Sequence, residues 1–256
     1  MDSFFVYLLF SALFLSTIAT ETQQPYRFTE HFLINCGSST PSKALDGQDW
    51  EGDATNSKYF LDEPNMEGAS SSSKASEQNP SVLQVPFMTA RVFNSQFTYS
   101  FPLSSGQKFV RLYYYPATYS THSKSEFFFS ITANNVFTLS LNFSAYLTAA
   151  ASNPPEPTLK KEFIINVPKN LRVLNITFNP SPSSYAFING IEIVSMPENL
   201  YLGPTDKRIT FVDNEKMPFY LNKDTVLETV YRLNVGGGRD ISSINDTGIF
   251  GLGFRT

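Results

Sequence analysis

Metal binding and nucleophilic catalysis have few residues to draw on in this chain. His31 and His122 are the only histidines, and neither has a ligand partner at the spacing zinc sites use. The single cysteine, Cys36, lies in HFLINCGS, a strand-like run ending in a Gly turn. A buried thiol there acts as a small hydrophobe, and it has no partner for an intramolecular disulfide. The densest acids, Asp46, Asp49, Glu51 and Asp53, lack the alternating oxygen ligands of a calcium loop because Gln48 and Trp50 break the register. They read instead as an acidic turn flanking a strand. Among 23 acids a glycosidase pair could be concealed, yet no spacing selects one. No G-x-S-x-G elbow occurs, and Gly236-Gly-Gly-Arg-Asp240 is not followed by a clear helix that would make it a phosphate loop. The expectation is a non-catalytic chain with no metal and no cofactor.

Binding chemistry is better supplied. Aromatic residues make up 15% of the chain, including 24 Phe, 13 Tyr and one Trp. A sugar site pairs an aromatic face with a few polar groups, because sugars present apolar C–H faces and hydroxyl rims. In Phe109–Pro116, FVRLYYYP, alternation puts Phe109, Arg111, Tyr113 and Tyr115 on one face and Val110, Leu112 and Tyr114 on the other. Tyr115, Tyr119 in the loop PATYSTHSKSE, and Trp50 in the acidic loop are the candidate ligand contacts, with Tyr119 expected to be the most exposed. Ordinary packing is the commoner role for such rings. The formal charge of −4 and the lack of any Lys/Arg run argue against nucleic acid as a partner.

The elements that would position these residues are short strands. Strands are expected at about 26–37, 87–93, 97–102, 109–115, 126–132, 135–143, 160–167, 171–178, 185–188 and 191–195. Residues 38–84 read mostly as loop, with a serine-rich stretch at Ser70–Ser73, and Asn153–Pro157 as a Pro-rich break. Asn189-Gly190 is the strongest hairpin signal, since both residues tolerate positive φ. Regular short strands of this kind imply an all-β, antiparallel sandwich of the jelly-roll sort. Beyond Pro197, residues 198–223 read as a linker with a strand near Ile209–Asp213. The run Asp224–Val235 fits helix and strand patterns alike.

Residues 1–19 read as a secretory signal: an unbroken apolar and small stretch from Phe4, then a small-x-small site at Thr17-Ile18-Ala19. At this length it is too short to favour a membrane span. Three glycosylation sequons, at Asn142, Asn175 and Asn245, agree with that address; Asn175 lies in a strand-like run and must face outward to be modified.

Several segments together resemble one family. LINCGS, the DGxxWxGD loop, VPFMTARVF, FVRLYYYP, KEFIINV, AFINGIEIVSMP and ETVYRLNVGG are similar to the malectin-like ectodomains of plant receptor kinases of the FERONIA and THESEUS group. The resemblance implies a malectin-like module over 26–197 and the incomplete start of a second over 224–256. It also implies a sensor of the cell wall that binds wall polysaccharide or small secreted basic peptides, with partner proteins at the plasma membrane. A truncated or secreted decoy and, less well motivated, a wall-glycan enzyme are the alternative readings. In the family the DGxxWxGD loop is structural.

Overall fold

The computed structural model describes residues 27–54, 59, 69–198, 200–201, 208–211, 214–221 and 225–230. The expected signal segment and Asn245 lie outside them. The described residues contain the strands β1 (His31–Asn35), β2 (Ser42–Lys43), β3 (Asp49–Gly52), β4 (Ser70–Lys74), β5 (Thr89–Phe93), β6 (Phe97–Pro102), β7 (Gly106–Tyr114), β8 (Phe129–Ala133), β9 (Phe137–Phe143), β10 (Leu159–Val167), β11 (Val173–Pro180), β12 (Ala186–Ile188), β13 (Gly190–Ser195), β14 (Arg208–Phe211), β15 (Asn214–Tyr220) and β16 (Leu227–Glu228).

A seven-stranded sheet ordered β16-β10-β7-β13-β1-β3-β2 faces a four-stranded sheet, β6-β11-β8-β9, and a three-stranded one, β12-β5-β4. Pairing is antiparallel except between β1 and β3. Strand alternation builds the core. Val110, Leu112 and Tyr114 of β7 point inward with Phe163 and Ile165 of β10 and Ile191 and Ile193 of β13. They meet Tyr99 and Phe101 of β6, Ile131 of β8 and Ile176 and Phe178 of β11. Register keeps like with like: Val110 stands opposite both Phe163 and Ile193. Rings then interlock at offset or edge-on angles, as Phe93 does with Phe97 (4.6 Å) and Phe178 (5.3 Å).

Three local expectations are corrected. The serine run is strand β4, paired along its length with β5, so part of the expected loop is sheet. A short helix, α1 (Ala145–Ala151), follows β9; Ser144 caps it by accepting from the Leu147 amide, and no helix was foreseen there. Asn189-Gly190 is not a hairpin. β12 pairs with β5 while β13 pairs with β1 and β7, so the chain runs straight on and changes sheets between Ile188 and Gly190. Glycine is required at 190 for room rather than for φ: an added Cβ would lie 2.7 Å from Pro86 and 3.1 Å from the Trp50 ring. Within the run Asp224–Val235, the described part contains strand β16, which pairs with β10 at Phe163 and Ile164.

Candidate functional site

The three rings named as candidate ligand contacts are all enclosed, and the expectation that Tyr119 is exposed is corrected. Trp50, on β3, is 4% exposed and meets Tyr113 edge-on at 5.5 Å. Tyr115 is 6% exposed; its hydroxyl accepts from the Asn79 amide (3.0 Å) and donates to the Glu77 carbonyl (3.3 Å). Tyr119, expected at the surface, is fully buried. Its hydroxyl donates to the Tyr115 carbonyl (2.7 Å) and its ring lies 5.3 Å from that of Phe187. The reason is tertiary. The loop around Tyr119 folds onto the sandwich through bridges to Ala75 and His122, which alternation along β7 cannot foretell.

Asn189 organises this end of the molecule. Its Oδ1 accepts from the Tyr115 amide (2.7 Å), and its Nδ2 donates to the Phe87 carbonyl (2.9 Å), the Thr89 carbonyl (2.7 Å) and the Tyr119 hydroxyl (2.8 Å). One buried amide thus satisfies backbone groups that the change of sheet would otherwise leave unpaired.

Two buried charge clusters hold the sheets in register. On the face of the large sheet away from the core, Arg111 of β7 stands directly opposite Glu162 of β10 and Glu192 of β13. Its Nε donates to Glu162 Oε2 (2.5 Å) and its Nη1 to Glu192 Oε1 (2.8 Å). Tyr113 donates to Glu192 Oε2 (2.6 Å), and His31 Nε2 lies 3.5 Å from Glu192 Oε1. Burial alone would push the Glu192 carboxyl up, but Arg111, His31 and Tyr113 hold it below the usual carboxylate value. From beyond Pro197, Thr229 closes the cluster. Its amide donates to the Glu162 carbonyl (2.9 Å) and its hydroxyl to Glu162 Oε1 (2.8 Å).

The second cluster centres on Asp53, the last acid of the DGxxWxGD loop. It accepts from the Gly37 amide (2.6 Å), from Tyr99 (2.5 Å) and from the Arg91 guanidinium (3.1 Å to Oδ1). Gly37 has φ +77°, and a Cβ there would lie 2.1 Å from the Ala90 carbonyl oxygen. LINCGS, the acidic loop and TARVF therefore meet at one carboxylate. Cys36, beside it, is buried, and burial pushes its thiol well up, which keeps it an inert thiol rather than a nucleophile.

These clusters were missed at the level of sequence, although a signal existed. Arg111 and Glu192 each sit mid-strand between apolar neighbours, where a lone charge needs a partner. Chemically the arrangement does not suit turnover. A glycosidase needs two carboxylates flanking a bond, whereas Glu162 and Glu192 both face one guanidinium and are closed from solvent. Among the described residues no group of three or more His, Cys, Asp or Glu could hold a metal. None of the described helices is long and apolar enough to cross a membrane. Of the sequons, Asn142 is exposed on β9 and Asn175 is half-buried on β11.

Comparison with known proteins agrees with this architecture. The malectin-like domain family matches residues 34–248. A putative receptor-like protein kinase of Arabidopsis thaliana is 44% identical over 95% of this chain and 27% of its own length. The receptor-like protein kinase FERONIA of the same plant is 42% identical over 95% of this chain and 26% of its own. Among solved structures, the plant receptor-like kinase FER superposes with a TM-score of 0.71 at 41% identity, covering 86% of this chain and 52% of that one. The ANX1 ectodomain from Arabidopsis thaliana gives 0.73 at 35%, covering 86% and 53%. The plant peptide RALF23 in complex with FER and LLG2 gives 0.71 at 42%, covering 88% and 53%. The chain spans about a quarter of the curated relatives and about half of the solved chains it matches. Matched by the family over residues 34–248, this chain belongs to the malectin-like domain family.

Proposed function

We propose that the chain is a non-catalytic, extracellular recognition module of a receptor kinase of the FERONIA type, and that its ligand is a small secreted basic peptide presented with a partner protein. The observation that carries this reading is the 42% identity, over 88% of the chain, to a receptor solved in complex with the peptide RALF23 and the protein LLG2. The net charge of −4 favours a cationic ligand by long-range attraction. Wall polysaccharide is the weaker ligand, because Trp50, Tyr115 and Tyr119, the rings that would stack on a sugar, are packed inside. The test is calorimetric titration of the secreted chain with a basic secreted peptide, with and without the membrane-anchored partner, beside a pectin oligosaccharide. Saturable peptide binding that weakens with salt is expected; binding of the oligosaccharide alone would overturn the proposal.

A further inference from the structure

We propose that Asn142 carries an N-linked glycan whose role is to shield the open edge of the four-stranded sheet. Exposed edge strands offer unpaired backbone groups to other chains, and proteins guard them with charge, proline or a bulge. Here β2 has Lys43, β4 has Lys74, β6 has Pro102 and β16 has Glu228. β9, the outermost strand beyond β8, reads FTLSLNF and has no charged residue and no proline. An uncharged strand rich in β-formers is the pattern that self-associates. Its apolar groups are also uncovered: Leu141 is 79% exposed, and Val136, just before the strand, 74%.

The edge is instead broken by a bulge at the sequon. Phe129 pairs with Phe143 but Ile131 with Ser140, so Leu141 and Asn142 together oppose Ser130. Asn142 takes φ +47°, a left-handed value asparagine tolerates, and its amide turns to Ser130 Oγ (3.2 Å). The bulge turns both side chains outward. Ser181 Oγ donates to Asn142 Oδ1 (3.1 Å), which orients the side-chain amide and leaves Nδ2 as the atom to be modified. In the modification, Nδ2 loses one proton and bonds to the sugar's anomeric carbon. The bond from that carbon to the diphosphate of a lipid-linked donor breaks as the diphosphate leaves. Asn175 is placed differently, on β11 between β6 and β8, with its Oδ1 buried. A glycan at Asn142 would hang beside Leu141 and hold a second β9 edge at a distance.

The proposal rests on the extracellular reading above, and the experiment separates the two. The full chain is secreted from plant cells as wild type and as Asn142→Gly, which removes the acceptor without adding charge to β9 and tolerates the left-handed backbone. The glycan is also removed enzymatically from folded wild type. Peptide mapping, N-terminal sequencing and light scattering are read. Glycan at Asn142 is expected in most molecules of monomeric wild type. Asn142→Gly and the deglycosylated protein are expected to show an apparent mass that rises with concentration to at least twice that of wild type, and adding Leu141→Lys restores the monomer. An unmodified Asn142 in secreted protein, or a deglycosylated protein that stays monomeric, overturns this proposal alone. Retention of the leader with no glycan at any site overturns the extracellular reading and this proposal together.

Discussion

Replacing Arg111 with methionine removes the guanidinium that lies between two buried carboxylates. Arg111 lies 2.5 Å from Glu162 and 2.8 Å from Glu192, and all three side chains are buried. At an effective dielectric of about 20, each contact is worth roughly 5 kcal/mol of attraction, most of it offset by desolvation. What the variant loses is the compensation. Breaking a buried pair costs about 3–5 kcal/mol because the remaining charge has no partner. That is a large part of the ~5–15 kcal/mol that holds a domain folded. For a module of this size it lowers Tm by roughly 6–20 °C. The pH dependence gives a second reading. The Glu192 carboxyl is held below its ordinary value of 4.5, so its contribution is complete above that pH and is lost as pH falls through the folded value. In Arg111→Met the sign reverses, because lowering the pH lets the stranded carboxylates bind protons and relieves the penalty. Urea melts at pH 7 and pH 4.5 should therefore show a large deficit at the first and a smaller one at the second. The triple variant Arg111→Met/Glu162→Gln/Glu192→Gln should recover most of the loss. A deficit under about 1 kcal/mol at pH 7, the size of a surface ion pair, or one that grows on acidification would refute this account.

Two smaller perturbations test the rest of the framework. Thr229→Val keeps the shape but removes the hydroxyl that Glu162 Oε1 accepts, and should cost about 1–3 kcal/mol in the urea midpoint and speed amide exchange in β10; an unchanged melt would mean that β16 adds nothing to the module. Gly190→Ala forces a methyl group to within 2.7 Å of Pro86, and the overpacking should cost about 1–3 kcal/mol; wild-type stability would show that the change of sheet is loosely packed.

Local patterns made much of the scaffold legible. Alternation in FVRLYYYP assigned Val110, Leu112 and Tyr114 to one face, and all three lie in the core, joined by Tyr115, which alternation put on the other face. Strands β6, β9 and β10 lie within two residues of where β-branched and aromatic runs put them. The function of the outward-facing residues was less legible. Tyr119 has polar neighbours in sequence and reads as exposed, yet a loop that folds back encloses it. Asn189-Gly190 has the composition of a turn, but neither residue takes positive φ, because the strand continues into a second sheet.

By itself the sequence determined the all-β class, the inward face of β7 and family membership, because these depend on residue type at period two and on motifs read along the chain. Only the tertiary structure decided that Arg111 lies between Glu162 and Glu192, that Asp53 joins three motifs, and that Trp50, Tyr115 and Tyr119 are buried. Each of these depends on pairs at least sixteen residues apart or on a loop closing over a sheet, and burial is a property of what packs on a residue rather than of the residues beside it in the chain.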